Sequence, residues 1–377
     1  MGAWPGKYVI GLTGNIATGK SVVRKMLEHL GAYGIDADAL AHRVIAQGAP
    51  GYKPVVDTFG KWILATDGQI DRAKLGRMVF TDPEALKQLE SIVHPFVRQA
   101  LEILIRRTQH KVVVIEAIKL LEAGLAERCD TVWVAYAPQE LQVARLMHKR
   151  GMSESVARER IAAQSPQDKK TAAAAVVIRN NGTFEAAWQQ VYTAWQQLFP
   201  SEEVAPVQEA ETVSGKMSVT RARPRESDTI AHLITGLSAG KKAVTRDQVM
   251  EAFGEKAFLL LHMADRPVGV VGWQVENLVA RTDDVYLESN VPFMDGLGLL
   301  MREVERASRE LECEASLLFL PAAMENQETV FRALGYQRRT IEMLGVRAWE
   351  EAAQESMPDG CIMLFKQLRQ DRVLRPV

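Results

Sequence analysis

The chain has 377 residues, 47% of them apolar and 25% charged, with a net charge of -1. That length makes two domains the default. So balanced a charge excludes a protein drawn as a whole to nucleic acid or to an acidic membrane surface. There is no run of about 18 apolar residues to span a bilayer, and no basic-then-apolar leader. Cys129, Cys313 and Cys361 lie far apart, without metal-ligand spacing. A cytoplasmic protein with free thiols, and with no nucleic-acid or membrane partner, is therefore expected.

Residues 8–13 read as a short apolar strand that runs into Gly14-x-x-x-x-Gly19-Lys20-Ser21. A helix follows over 21–30, with Val22, Val23, Met26, Leu27 and Leu30 on one face. Strand, glycine-bracketed loop and helix in that order make a phosphate-binding loop. The glycines let the backbone curl so that N–H groups converge, and the helix adds its positive end. Gly14, Asn15, Ile16, Ala17, Thr18, Gly19, Lys20, Ser21 and Val22 are thus expected to hold the phosphates of a nucleoside triphosphate. Lys20 is placed to reach the outer phosphates and Ser21 to ligate Mg²⁺. Asn tolerates positive φ but Ala does not, so an ordinary backbone angle is expected at Ala17.

Residues 34–36 read as a strand end and 38–46 as a helix; helical patterns then dominate 50–107. Strands are predicted at 112–115, 131–135 and 176–178. Helices are predicted at 138–150, at 153–164 with Ser153 as N-cap, and at 184–198. Such alternation means a parallel sheet with helices on both faces, an α/β fold. Asp36 and Asp38 then stand at a strand end that faces the ligand crevice. An acid there accepts a proton from a substrate hydroxyl, helps to hold Mg²⁺, or caps the helix that follows. Position alone leaves all three roles open for Asp38.

The ordered series of motifs is more specific than the loop. Ile35-Asp36-Ala37-Asp38-Ala39-Leu40-Ala41-His42 follows the loop, then Phe59-Gly60, Asp67-Gly68-Gln69-Ile70-Asp71-Arg72 and Val79-Phe80. Leu89-Glu90-Ser91-Ile92-Val93-His94-Pro95-Phe96-Val97-Arg98 comes next. Leu121-Glu122, Gln142-x-x-Arg145-Leu146 with Arg150, Arg160-Ile161-x-x-Gln164 and Asn180-Asn181-Gly182 complete the series. Over roughly residues 7–200 the chain resembles dephospho-CoA kinase, a P-loop kinase with a parallel sheet and a helical substrate-binding insertion. The resemblance implies transfer of a phosphoryl group from ATP to the ribose 3′-hydroxyl of dephospho-CoA, giving CoA and ADP. It implies Asp38 as the acid that activates the hydroxyl, Lys20 and the loop amides as holders of the β- and γ-phosphates, and Ser21 as the Mg²⁺ ligand. Arg145 and Arg150, on a lid-like helix, would neutralise the transferred group. Asp36, Glu116, His94 and Arg98 would bind the acceptor, with Arg98 one helical turn beyond His94. Taken alone, His94 reads as a structural histidine before a proline-induced turn.

The chain departs from that family at several positions. Asn15 and Ala17 stand where glycines are usual, and Glu116 is followed by Ile118-Lys119-Leu120-Leu121-Glu122 rather than the usual Pro-Leu-Leu-Phe-Glu. Lys119 either adds a cation near the site or points to water. Ala175 and Arg179 replace acids on the side expected to take adenine.

Residues 201–216 are acidic and turn-rich and read as a linker between a domain at 1–200 and a second at 217–377. Strands are predicted at 219–222, 258–262, 269–275, 284–288, 316–320 and 361–366, and helices at 227–237, 297–311 and 327–334. Ala264-Asp265-Arg266-Pro267 is expected to turn one strand into the next. This mixed α/β unit resembles the GNAT acetyltransferase fold. Val291-Pro292-Phe293-Met294-Asp295-Gly296-Leu297-Gly298 before a helix resembles that family's diphosphate-binding turn, though Phe293 occupies the usual Arg or Gln place. Asn326 and Phe331-Arg332-Ala333-Leu334-Gly335-Tyr336 resemble its second signature, with Tyr336 either a proton donor or a core residue. The resemblance implies acetyl-CoA or CoA as ligand. It leaves open an N-acetyltransferase, a CoA sensor and a non-catalytic scaffold. The sequence fixes neither oligomeric state nor domain orientation.

Overall fold

Strand residues of alternating parity face opposite layers, and this places the first sheet between two groups of helices. In the computed structural model, residues 3–200, 217–238, 242–276, 278–321 and 328–370 are described. The first half runs β1 (Tyr8–Thr13), α1 (Lys20–His29), β2 (Tyr33–Asp36), α2 (Ala37–Val44), α3 (Tyr52–Phe59), α4 (Arg72–Thr81) and α5 (Pro83–Arg107). It continues with β3 (Val112–Glu116), β4 (Thr131–Tyr136), α6 (Gln139–Arg150), α7 (Glu154–Ala162), α8 (Gln167–Ala172), β5 (Val176–Arg179) and α9 (Phe184–Leu198). The strands form one all-parallel sheet in the order β2-β3-β1-β4-β5.

Val9, Ile35, Val113 and Ile115 pack under α2–α5, while Ile10, Leu12, Val112 and Val114 pack under α1 and α9. Pairing aligns Asp36 with Glu116, and Glu116 with Leu12, so the chemistry-bearing ends of three strands share one edge. Ser153 caps α7 as its sequence suggests, accepting from the Val156 N–H. Helix α8 was not legible, being six residues long with little apolar content. His94 precedes no turn: α5 continues through Pro95. The proline there removes one N–H from a helix long enough to absorb the loss.

The second half runs β6 (Met217–Arg221), α10 (Ser227–Leu237), α11 (Arg246–Ala252), β7 (Ala257–Met263), β8 (Arg266–Glu276), β9 (Val279–Leu287) and α12 (Phe293–Glu310). Then come β10 (Ala315–Pro321), α13 (Glu328–Ala333), β11 (Gln337–Arg338), α14 (Arg347–Ser356) and β12 (Cys361–Gln367). Its mixed sheet has the order β11-β12-β10-β9-β8-β7-β6. Helix α12 covers one face and α14 the other, over Val279, Leu317, Phe319 and Phe365. Helices α10 and α11 pack over Phe258, Leu260 and Val270. The β7–β8 turn is tighter than expected: Ala264 and Asp265 both take positive φ, and Arg266 and Pro267 already belong to β8. The linker at 201–216 and Asn326 lie outside the described residues.

The two halves touch along α1 and α2. His29 Nε2 meets the Phe253 carbonyl at 2.8 Å, and the two rings lie edge to face at 5.4 Å. Lys25 donates to the Val275 carbonyl at 3.2 Å. Arg43 pairs with Glu314 at 2.9 Å. Leu278 and Leu311 extend the apolar layer beneath α2–α5.

Burial, helped by the nearby Arg221 cation, lowers the His29 pKa to about 3. An unfolded histidine titrates near 6.5, so between those values the unfolded chain holds the extra proton. The His29 contribution is therefore present above about pH 6.5 and lost as pH falls towards 3. In urea titrations, moving from about pH 7.5 to about pH 5 should cost the native chain about 2 kcal/mol more than it costs His29→Gln. Equal losses would contradict this.

Candidate active site

Loop Gly14–Ser21 joins β1 to α1, and its shape rests on contacts that leave little choice of residue. Gly14 and Gly19 take φ of 149° and 87°. A Cβ at Gly14 would meet the Ala135 carbonyl oxygen at 2.3 Å, and one at Gly19 would meet Asn180 Nδ2 at 1.9 Å. Thr18 Oγ1 donates to the Asn15 carbonyl at 2.8 Å, and Lys20 Nζ donates to the same oxygen at 3.2 Å. The Ile16 N–H is held by Gln164 Oε1 at 2.8 Å. Helix α1 has no side-chain cap and no acid in its first turn, an arrangement able to accept an anion at its positive end.

Ala17 departs from expectation, with φ of 59° in the left-handed region. The physical reason is its carbonyl, which this angle turns to accept from Arg145 Nη1 at 3.1 Å. Arg145 Nη2 donates to the Asn180 carbonyl at 2.9 Å, while Asn180 Nδ2 donates to the Thr18 carbonyl at 3.0 Å. Helix α6 and the loop after β5 are thus both fastened to the phosphate loop.

Opposite the loop stand the acids. Capping of α2 falls to Asp36, not Asp38: Asp36 Oδ1 accepts from the Ala39 N–H at 2.9 Å. Asp38, inside the first turn, accepts the Ile118 N–H at 3.0 Å through Oδ2. Ile118 is pinned in turn, its carbonyl accepting from Lys170 Nζ at 2.6 Å and from Thr13 Oγ1 at 3.1 Å. Glu116 is buried between Arg24, whose Nε donates at 2.7 Å, and Ser21, whose hydroxyl donates at 2.9 Å.

Burial raises the pKa of Asp38 against the opposing pull of the Ile118 N–H and Lys20. It also raises that of Asp36, with Glu116 adding to the shift. Burial lowers the pKa of Lys20, against the pull of Glu116 and Asp38.

Ile16, Ala17, Gly19, Lys20, Ser21, Val22, Asp36, Asp38, Glu116, Arg145 and Arg150 all line one cleft of about 1160 Å³. Gly14, Asn15 and Thr18 stand behind it as the frame of the loop. His94 and Arg98 are not in its lining: both lie on α5, His94 half-buried and Arg98 exposed. Lys119 turns away from the cleft to pair with Glu90 on α5. Sequence reasoning missed Asn180, Gln164, Lys170 and Arg24 as builders of the site. The first two lay inside the quoted motifs, whereas the roles of Lys170 and Arg24 depend on backbone carbonyls and carboxylates far away in sequence.

A dephospho-CoA kinase family model matches residues 8–186. The dephospho-CoA kinase of Geobacter sulfurreducens is 45% identical over 195 residues, covering 51% of this chain and 99% of that protein. The chain belongs to the dephospho-CoA kinase family. It is an ATP-using transferase of the last step of coenzyme A synthesis, with dephospho-CoA and ATP as small-molecule substrates. Among solved structures, the dephospho-CoA kinase from Campylobacter jejuni is 29% identical with a TM-score of 0.39, covering 51% of this chain and 97% of that one. A GNAT-family acetyltransferase from Streptococcus pneumoniae aligns at 11% identity with a TM-score of 0.32, covering 40% of this chain and 99% of that one.

A left-handed alanine costs about 1–2 kcal/mol, and a glycine returns part of that through the greater freedom of the unfolded kinase. Ala17→Gly should therefore raise unfolding free energy by up to about 1 kcal/mol in urea titrations. A loss of stability would contradict the strain assigned to Ala17.

Proposed function

We propose that Asp38 is the general base of the phosphoryl transfer and that Lys20, Arg145 and Arg150 carry the charge of the transferred group. The observation that carries this reading is Asp38 Oδ2 fixed by the Ile118 N–H at 3.0 Å, in the same cleft as Lys20 and the phosphate loop. A carboxylate held by one oxygen keeps the other for the substrate, and burial makes it a better proton acceptor than a surface aspartate. The acceptor hydroxyl passes its proton to Asp38 while its oxygen bonds to the γ-phosphorus, and the bond from that phosphorus to the β-phosphate oxygen breaks to release ADP. Two of the five N–H donors of Arg145 hold carbonyls, which leaves a planar group oriented along the cleft.

The hydroxyl of Ser21, with the carboxylates of Asp36 and Glu116, is a hard-oxygen donor set that suits Mg²⁺. No group of three or more His, Cys, Asp or Glu among the described residues could hold a metal. Phosphate oxygens and water are therefore assigned to the rest of its shell. Bound there, Mg²⁺ would supply positive charge that offsets the charge of the phosphates. His94 and Arg98 are proposed to reach the acceptor from α5, outside the cleft itself. The free thiols of Cys129, Cys313 and Cys361 fit a reducing cytoplasm.

Asp38→Asn should lower kcat about 100-fold or more while ATP affinity stays within about twofold. As pH falls, Asp38 gains a proton and ceases to act as a base. The acid limb of kcat/KM should thus lie above the ordinary aspartate value of about 3.9 and vanish in Asp38→Asn. Turnover near that of the native chain in the variant would overturn the assignment.

We propose further that the two sheet units are domains at 1–200 and 217–377, the second GNAT-like in fold but not an acetyltransferase. Support for the fold is the seven-strand order and the β9–β10 parallel pairing, which spans only Val279–Thr282 and Ala315–Leu318 before two longer strands diverge. Three features argue against catalysis. Asp295 puts an acid in the first turn of α12, where a diphosphate would sit. Phe293 lies edge-on to Phe331 at 6.3 Å. Tyr336 is buried with its hydroxyl 3.0 Å from Ser316 Oγ. Equilibrium dialysis with CoA should give one CoA per chain at saturation; two per chain would restore a ligand role to the second half.

A further inference from the structure

We propose that the α10–α11–β7 corner of the second half completes the donor side of the kinase site and holds the purine of ATP. This rests on the reading that the ATP phosphates lie on the Gly14–Ser21 loop. The cleft that contains the loop, Asp38 and Arg145 is not closed by the first half alone. Its wall continues through Val244, Gln248, Ala252 and Phe258 of the second half.

This corner is fastened to both structures that frame the phosphates. At α1, Gly254 lies so close to the phosphate-loop helix that an added Cβ would meet Val22 Cγ1 at 3.2 Å, and the neighbouring Phe253 carbonyl meets His29. At the other end, Phe184 follows directly on the Asn180–Thr183 loop and packs into the α10–α11 apolar cluster with Ile230, Val249 and Phe253. Lys149, from the cationic end of α6, reaches across to Glu255 at 3.3 Å. Both side chains of that pair are exposed, so it marks the path of the wall more than it holds it.

The chemistry of the two ends of the cleft differs. One end carries Lys20, Arg145, Arg150 and the helix N-terminus, all suited to phosphate. At the other, Lys256 pairs with Asp283 and Asp284 at 2.7 and 2.9 Å, and Lys242 pairs with Asp284 at 2.8 Å. These charges pair off, and Glu251 and Glu255 in the same wall disfavour a phosphate there. Apolar Phe184, Ile234, Val244, Ala252 and Phe258 line the cleft as well. A wall that mixes apolar and hydrogen-bonding groups, joined to a phosphate cradle, suits an uncharged heterocycle. The acceptor side is the opposite one, beside Asp38 and His42.

Two variants of the full chain test this. Ala252→Phe narrows this end of the cleft from a half-buried position, and Ala243→Trp does so from an exposed one whose replacement disturbs no packing. Each should raise KM for ATP about tenfold, leave KM for dephospho-CoA within about twofold, and reduce the preference for ATP over the smaller-based CTP. ATP KM within about twofold of the native value in a folded Ala243→Trp would overturn the proposal. A parallel Lys20→Ala separates the two readings: if it leaves ATP affinity intact, the phosphate-loop placement is at fault rather than the corner.

Discussion

The buried Arg24–Glu116 pair is the constraint on which the site depends. Parallel pairing of β2 with β3 sets Asp36 directly beside Glu116, two acids at one buried edge. Arg24 offsets them from α1, with Nε on Glu116 at 2.7 Å and Nη1 on Glu28 at 2.6 Å. Removing one member of such a buried network leaves a charge uncompensated, typically at about 3–5 kcal/mol. Because Arg24 lies one turn beyond Lys20 and Ser21, the same pair fixes the rotation of α1, and with it the direction of the lysine and the hydroxyl.

Burial then sets the chemical character of each group. Asp38 is raised and Lys20 lowered because both leave water, yet each favours the ionised form of the other. Neighbouring acids therefore take different roles. Asp36 caps α2 and faces Glu116, while Asp38 is held by the Ile118 N–H with Lys20 in the same cleft. The loop that makes this arrangement tolerates a strained Ala17 because Arg145 engages its carbonyl.

How much of this the sequence disclosed follows from the range of the interactions. The phosphate loop, the strand periods and the Ser153 cap are local, and they read directly from neighbouring residues. The acid at the end of β3, Glu116, was legible only through the family resemblance. The Ala17 angle was misread because its cause, Arg145, is 128 residues away. The choice among the three roles open to Asp38 could not be made in sequence, because helix starts slip by one or two residues there and the cap falls to Asp36. Helices α11 and α14 were missed: the first is seven residues long, and both are defined by packing against a sheet remote in sequence. The corner that lines the far end of the cleft had no signal of its own, since apolar and paired residues there look like ordinary surface and core.

The kinase site is built on one sheet, and the proposed purine wall comes from the other. A crystal structure of the full chain with a non-hydrolysable ATP analogue and dephospho-CoA tests the placement of the reacting groups most directly. The expected result is an Asp38 carboxylate oxygen about 2.6–3.2 Å from the ribose 3′-hydroxyl, with the γ-phosphate on the opposite side of that oxygen. A hydroxyl that faces another residue, with Asp38 held only by Ile118, would contradict it.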